Sequence, residues 1–218
     1  MPAPASANVG PGSVKVIGVD FDNTIICYDQ LFFDLAVKQS LIDRSIHPMK
    51  TDIRDAIRRL DNGEIKWQKL QALVYGPMID QARLFDGVKD FLVLCRKMAV
   101  KIYVVSHKNQ FAAQDENKCD LRVAALGFLK HQGLLTESHG LSESSIYFES
   151  TRQEKIKRIA RLKCDIFIDD LPETFLEEGF PKGIQKILFN SEEKYPDLDL
   201  CLSVKSWDEA AKWLKAKV

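Results

Sequence analysis

Residues 14–24 read V-K-V-I-G-V-D-F-D-N-T, an apolar, β-branched stretch that runs directly into two aspartates. Such a stretch is typical of a strand buried on both faces of a parallel sheet, so a binding crevice is expected at its polar end. Asp20 and Asp22 lie two residues apart, and on an extended chain their side chains start on the same side. Two carboxylates at such a short distance repel each other unless a cation or a shared proton lies between them. The stretch therefore suggests a metal site and a reaction centre.

The bulk composition narrows the class of protein. The chain has 218 residues, enough for one α/β domain with a small insert. Lys and Arg together number 31, as do Asp and Glu, and this zero net charge argues against a nucleic-acid partner. No apolar run is long enough to span a bilayer, and residues 1–13 lack the features of a secretory signal. We therefore expect no membrane partner, a flexible tail at 1–13 and, from five scattered cysteines, a cytoplasmic protein.

Strand-like and helix-like segments alternate along most of the chain. Apolar runs predict strands at 100–106, 145–149, 164–170 and 185–190, and a weaker one at 198–204. Helical periodicity predicts helices at 86–98, 117–131 and 151–162, and a capping box from Ser206 to Glu209 opens the last helix. Strands separated by helices imply right-handed crossovers. The predicted fold class is therefore α/β, a Rossmann-like three-layer sandwich with a central parallel sheet.

Residues 31–79 interrupt this alternation, because they contain no convincing strand. Apolar spacing predicts helices there at 51–60 and 64–75. One interpretation is a small α-helical cap over the crevice, and the alternative is a long crossover connection with extra helices. The first interpretation divides the chain into a core domain, 14–30 and 80–218, and a helical cap, 31–79.

Polar side chains also end two of the later strands. Ser106 ends the strand at 100–106, and Asp169 and Asp170 end the strand at 164–170. Because the carboxyl ends of parallel strands meet at one edge of a sheet, these side chains should converge with Asp20 and Asp22. Converging carboxylates require a cation, and oxygen ligands without His or Cys favour Mg²⁺ over zinc. The sequence therefore predicts a magnesium site at this edge.

Lys155 lies near the start of a predicted helix that a capping box, Thr151 to Glu154, opens. A cation at that end opposes the helix dipole, which favours anions at its N-terminus. A lysine that points into an acidic, phosphate-holding crevice gains a charge partner that a surface lysine lacks. Lys155 is therefore a candidate site residue.

These segments together resemble the four motifs of the haloacid dehalogenase (HAD) superfamily. The matching segments, in the order and structural settings of the family, are Asp20-Phe21-Asp22-Asn23-Thr24, Ser106, Lys155 and Asp169-Asp170. The pattern D-x-D-x-T is weak alone, whereas the four motifs together are specific. The resemblance covers residue 14 to about residue 189, and the insert at 31–79 is similar to the helical cap of the family.

The resemblance implies catalytic roles for four residues. Asp20 would be the nucleophile that forms an aspartyl-phosphate, and Asp22 would be the general acid and then the base that activates water. Ser106 would bind a phosphoryl oxygen, and Lys155 would neutralise charge on the phosphate and on Asp20. Since dehalogenases of the family lack a second aspartate in the first motif, Asp22 favours a phosphatase.

The resemblance also implies the ligands of the metal and the phosphate. Mg²⁺ would be held by the Asp20 carboxylate, the Asp22 backbone carbonyl, and Asp169 or Asp170. The candidate phosphate-binding residues are Asn23, Thr24, Ser106, His107 and Lys155. Because Lys155 lies nearer to the last motif than in many members, Lys118 and Lys130 are alternative candidates for the motif lysine.

The predicted function is a Mg²⁺-dependent phosphomonoester hydrolase that acts on a small soluble phosphorylated metabolite through an aspartyl-phosphate. Two alternatives stay open: a phosphomutase of the same superfamily, and a non-catalytic HAD-fold protein that binds or regulates. The sequence does not indicate the natural substrate or the oligomeric state.

Overall fold

The computed structural model describes residues 14–196 and 198–217, so the tail predicted at 1–13 lies outside the described residues. The strands are β1 (Val16–Val19), β2 (Ile26–Cys27), β3 (Arg83–Leu84), β4 (Lys101–His107), β5 (Ile146–Glu149), β6 (Ile166–Asp169), β7 (Gln185–Phe189) and β8 (Leu202–Val204). The helices are α1 (Asp29–Lys38), α2 (Lys50–Arg58), α3 (Gly63–Tyr75), α4 (Val88–Lys97), α5 (Leu121–His131), α6 (Arg152–Leu162), α7 (Pro172–Leu176) and α8 (Trp207–Lys215).

A six-stranded parallel sheet has the strand order β5-β4-β1-β6-β7-β8. β1 lies between β4 and β6, with Val19 in register with Val104 on one side and Ile168 on the other. The backbone N–H of Asp20 donates to the carbonyl of Ile168 at 2.9 Å, which continues this pairing past the end of β1. The carboxyl ends of β1, β4 and β6 therefore meet at one edge of the sheet, as predicted.

Helices cover both faces of this sheet. Leu188 belongs to an apolar cluster with Ile156 and Ile159 of α6, while the neighbouring Phe189 ring lies 5.4 Å from Trp207 of α8. Successive residues of a strand face opposite sides, so α6 and α8 lie on opposite faces. The predicted α/β, Rossmann-like three-layer arrangement is confirmed.

Gly18, in the middle of β1, has no room for a side chain, because the aromatic ring of Phe167 lies against it. A Cβ atom at Gly18 would lie 2.5 Å from Cδ2 of Phe167, its register partner on β6, and 3.0 Å from Sγ of Cys164. Phe167 is fully buried, so its ring has no free space into which to move.

We expect Gly18→Ala to lower the free energy of unfolding by about 1–3 kcal/mol, the usual cost of overpacking a core. Gly127→Ala is the matched control, because Gly127 lies within α5 and an added Cβ there meets nothing within 4 Å. Alanine has the higher helix propensity, so the control should gain up to about 1 kcal/mol. Urea denaturation of both variants measures the difference, and a stable Gly18→Ala protein would contradict this account of the β1–β6 packing.

Helix capping explains where α5 and α6 begin. The predicted capping box of α6 is confirmed, because Thr151 Oγ1 accepts from the Glu154 N–H and Glu154 Oε2 accepts from the Thr151 N–H, both at 3.1 Å. The start predicted for α5 at residue 117 is wrong. Asp120 accepts hydrogen bonds from the N–H groups of Arg122 and Val123, and this cap starts the helix at Leu121.

The capping box predicted for α8 forms only in part. Ser206 Oγ accepts from the Glu209 N–H at 3.2 Å, as predicted. The Glu209 carboxylate accepts instead from the N–H of Lys205, one residue before the N-cap, at 2.7 Å. The helix still begins where predicted, since the serine cap alone satisfies a free amide of the first turn.

The chain divides into two compact units. In the described part of the chain, the first contains residues 14–25, 85–107 and 135–217 and includes the parallel sheet, and the second contains residues 26–84 and 108–134. The second unit thus includes the predicted cap segment, 31–79, together with α5, which the sequence division above places in the core. The cap itself stays a prediction.

The second unit is helical, apart from the short antiparallel pair β2–β3. Its helices α2 and α3 correspond to the two that were predicted within 31–79. Its core contains Phe32 stacked on Trp67 at 5.0 Å between ring centroids, with Ile53 and Ile57 fully buried. None of the helices within the described residues is long and apolar enough to cross a membrane.

Candidate active site

Three of the predicted site residues lie at adjacent strand ends of the first unit. Asp20 follows β1 directly, Ser106 is the penultimate residue of β4, and Asp169 is the last residue of β6. All three are buried, and Asp169 has no exposed surface. Buried polar residues at one sheet edge are unusual in a structural core, and here they surround the point where a ligand of a doubly wound sheet binds.

Lys155 bridges two of these aspartates. Its Nζ donates to Oδ1 of Asp20 and to Oδ2 of Asp169, both at 2.6 Å, and its side chain is 4% exposed. The capping box places Lys155 in the first turn of α6, from which the ammonium group reaches both strand ends. The structure therefore brings Lys155 to the predicted aspartates, while Lys118 and Lys130 belong to the second unit.

The aspartates form a cluster of oxygen donors. Asp20, Asp169 and Asp170 each offer a carboxylate oxygen, and these oxygens lie within 4.8 Å of one another. Both carboxylate oxygens of Asp169 accept hydrogen bonds, because its Oδ2 binds Lys155 and its Oδ1 accepts from the Leu171 N–H at 3.0 Å. This grouping of hard oxygen donors does not include the Asp22 carboxylate.

Burial governs the electrostatics of the cluster. Desolvation raises the pKa of Asp20 to about 7; the charge of Lys155 acts against this rise, and the charges of Asp169 and Asp22 add to it. Burial alone would lower the pKa of Lys155, but the attraction of Asp169 and Asp20 outweighs it and raises that pKa, so the lysine stays charged.

The donor set fits a divalent cation. Lys155 contributes one positive charge against the three clustered carboxylates, so the cluster carries negative charge that a bound cation would offset. All of the clustered donors are carboxylate oxygens, which suit Mg²⁺ rather than zinc.

Comparison with known proteins shows which fold this is. No family model matches the chain. The chain is 27% identical over 161 residues, 71% of its length, to the β subunit of glycine–tRNA ligase from Clostridioides difficile (strain 630), and it spans 21% of that relative. A solved HAD-superfamily hydrolase from Ehrlichia chaffeensis superposes with a TM-score of 0.52 at 14% identity, over 94% of this chain and 98% of that one. The chain has the HAD fold.

Two further structures with the HAD fold resemble the chain to a similar extent. A HAD-hydrolase of Bacillus subtilis bound to magnesium gives a TM-score of 0.52 at 12% identity, over 93% of this chain and 99% of that one. A dehalogenase gives 0.56 at 12% identity, over 92% and 97%. At these identities the likeness concerns the fold, and the chemistry has to be argued from the side chains.

Asn23 and Thr24 lie in the turn that follows β1. Asn23 adopts a left-handed conformation, φ 56°, which asparagine tolerates better than most residues. Thr24 is fully buried, and its hydroxyl has no hydrogen-bond partner within the residues that the structure describes. Its backbone carbonyl accepts from Nε1 of Trp207 at 3.0 Å, which holds the turn against α8. Phosphate binding by Asn23 and Thr24 stays a prediction.

His107, the other predicted phosphate-binding residue, has a protein partner. Its Nε2 lies 3.1 Å from the carbonyl oxygen of Ser150, in the loop that precedes α6. Burial lowers the pKa of the His107 ring, although the Ser150 carbonyl opposes that change. The ring therefore links the end of β4 to the start of the helix that carries Lys155, and its phosphate contact stays a prediction.

The turn at 190–195, which directly follows β7, was not predicted from the sequence as part of the site. Asn190, Ser191 and Tyr195 of this turn line a small recess together with Asp170 and Asn23. The signal was present, since the polar run N-S-E-E-K-Y follows the apolar strand β7 just as Asp170 follows β6. The strand-end rule therefore applies to β7 as well as to β1, β4 and β6.

Proposed function

We propose that the protein is a HAD-superfamily hydrolase that cleaves phosphate monoesters with Mg²⁺ through an aspartyl-phosphate on Asp20. The observation that carries this proposal is the bridge from Lys155 to both Asp20 and Asp169, beside a third carboxylate from Asp170. A buried lysine held between carboxylates at a sheet edge supplies positive charge where a phosphoryl group needs it.

Asp20 is the residue best placed to act as nucleophile. Lys155 engages its Oδ1, so we assign its Oδ2 as the atom that attacks phosphorus. A bond forms between Oδ2 and phosphorus while the bond from phosphorus to the ester oxygen breaks. Asp22 donates a proton to that departing oxygen, and then accepts one from the water that hydrolyses the aspartyl-phosphate.

Asp20, Asp170 and the backbone carbonyl of Asp22 would hold Mg²⁺. Direct ligation by Asp169 would compete with the hydrogen bonds that both of its oxygens accept. When bound, the ion would supply positive charge that neutralises the phosphoryl oxygens. Asp169 then acts chiefly by orienting Lys155.

Asp22 distinguishes phosphate-ester chemistry from dehalogenation on this fold. A halide leaves as an anion and needs no proton, whereas an alkoxide leaving group does. A second carboxyl two residues after the nucleophile therefore has a use in ester hydrolysis. We further infer a small phosphorylated metabolite as substrate and a cytoplasmic location, the latter supported by five cysteines that are all free thiols.

Metal removal tests this proposal. We expect excess chelator to reduce hydrolysis of nitrophenyl phosphate to background and added Mg²⁺ to restore it. Because the ion binds only the folded state, Mg²⁺ at about a hundred times its Kd should also raise the Tm, by about 5–10 °C.

Two variants test the assigned ligands by the same thermal shift. Asp170→Asn should reduce the shift that Mg²⁺ produces, whereas Asp90→Asn, an exposed position on α4, should not. Full turnover in chelator would rule out the metal-dependent mechanism. Formation of an isomeric phosphate ester without free phosphate would indicate a phosphomutase instead.

A further inference from the structure

A polar recess of about 40 Å³ lies beside the acidic cluster, within the first unit. Its polar lining includes Asn23, Asp170, Ser191, Glu192, Lys194 and Tyr195. Asp170 belongs to both the recess and the carboxylate cluster, so a molecule with its phosphate at the cluster has its remaining atoms within reach of the recess.

The wall of the recess is a turn that is closed by its own hydrogen bonds. Asn190 Nδ2 donates to the Tyr195 carbonyl at 2.8 Å, and Asn190 Oδ1 accepts from the Tyr195 N–H at 3.3 Å. The Glu193 N–H also donates to the Asn190 carbonyl at 3.1 Å. Asn190 is only 7% exposed, so this clamp is sheltered from competing water and holds the wall in place.

The charges of the recess disfavour a second anion. Lys194 is the only cation among the described residues that line it, and its Nζ lies 2.7 Å from Glu192 Oε2. A ligand carboxylate therefore finds no uncompensated cation among the described residues of the recess.

Size and hydrogen-bonding capacity indicate what the recess accepts. A bound water needs about 10–15 Å³ of such space, so the recess holds only a few non-hydrogen atoms and excludes an aromatic ring or a nucleobase. The lining offers amide, hydroxyl and carboxylate groups, a mixture of donors and acceptors that suits a ligand hydroxyl, which both donates and accepts.

We propose that the recess binds the hydroxyl-bearing end of the leaving group, so that the substrates are phosphate monoesters of small neutral polyols. Glu192 is the specificity-determining residue: it pairs with Lys194 and thereby excludes esters that carry a carboxylate at the same place. This inference rests on the proposed phosphatase function and names its substrate class.

Glycerol 3-phosphate and 3-phosphoglycerate test the proposal, because they share a carbon chain and differ in a terminal hydroxymethyl or carboxylate group. We expect kcat/KM for glycerol 3-phosphate to exceed that for 3-phosphoglycerate by at least about tenfold, since Lys194 is held by Glu192 and the substrate carboxylate is desolvated without a cationic partner. Glu192→Gln breaks the ion pair with Lys194 and should lower this ratio about tenfold, mainly through KM for 3-phosphoglycerate.

Glu193→Gln is the matched control, because it removes the same charge from the next residue of the turn. Glu193 pairs with Lys205 at 2.8 Å and does not line the recess, so the ratio should stay at its wild-type value. A second variant, Ser191→Met, fills the recess and should lower kcat/KM for glycerol 3-phosphate about tenfold. Thermal unfolding verifies that each variant is folded.

The possible results distinguish failure of the recess proposal from failure of the proposed phosphatase function. Equal kcat/KM for both esters in the wild-type protein, or equal changes in Glu192→Gln and Glu193→Gln, would overturn the recess proposal alone. So would hydrolysis of nitrophenyl phosphate without hydrolysis of either glycerol-derived ester. Failure to release phosphate from all three esters would overturn the proposed phosphatase, and the recess proposal with it.

Discussion

Asp20→Asn is expected to reduce phosphate release to background for every ester. The amide cannot attack phosphorus as a carboxylate does, so no covalent intermediate forms. The substitution is nearly isosteric, and Asn Oδ1 can still accept from Lys155, so the fold should survive. Phosphate release and thermal unfolding, measured on the same preparation, separate lost chemistry from lost structure.

The effect of Asp22→Asn on turnover is expected to depend on the leaving group of the ester. With an alkyl phosphate, loss of the proton donor should lower kcat by about 10²–10⁴-fold. Nitrophenolate departs without a proton, so the first step should survive better and the phosphorylated protein should accumulate. Intact-mass measurement after rapid quench detects that species. Wild-type activity in Asp20→Asn would show that Asp20 is not the nucleophile and that the four-motif resemblance describes only the fold.

Lys155→Met is expected to cost about 3–5 kcal/mol of the free energy of unfolding in the presence of chelator, the usual cost of removing one partner of a buried ion pair. The Lys155 ammonium is nearly inaccessible and lies between Asp20 and Asp169, so its removal leaves carboxylates buried without compensation. Urea denaturation measures the loss. Lys157→Met, an exposed position on the same helix, should change stability by less than about 0.5 kcal/mol.

A double variant identifies the cause of that loss. If the uncompensated charge is responsible, Asp169→Asn added to Lys155→Met should recover part of the stability, because it removes one of the repelling carboxylates. Mg²⁺ should likewise stabilise Lys155→Met more than wild type. If the losses in the free energy of unfolding are additive in the double variant, then Lys155 stabilises the fold through packing of its aliphatic side chain rather than through its charge.

The sequence predicted those features that local patterns determine. Apolar runs located the sheet strands, and the strand-end rule brought Asp20, Ser106 and Asp169 to one edge because parallel sheets align their carboxyl ends. A capping box placed Lys155 in the first turn of α6, and its contacts with both aspartates follow from that position.

Other features depend on contacts between distant parts of the chain and could not be predicted in this way. Residues 108–134 join the second unit, although nothing in their own periodicity distinguishes them from a crossover helix. The start of α5 was placed too early because apolar spacing was weighed without the cap at Asp120. The hydrogen bond of His107 to Ser150 and the recess beside Asp170 depend on loop conformations that carry no hydrophobic pattern.

The turn at 190–195 has a consequence for how this scaffold can diversify. Two hydrogen bonds between Asn190 and Tyr195 hold the first and last residues of this turn together at the end of β7. Loops of this kind tolerate sequence change while a rigid framework keeps the reacting groups fixed. If the recess proposal holds, exchange of the residues between Asn190 and Tyr195 would therefore change substrate choice while Asp20 and Lys155 keep their positions.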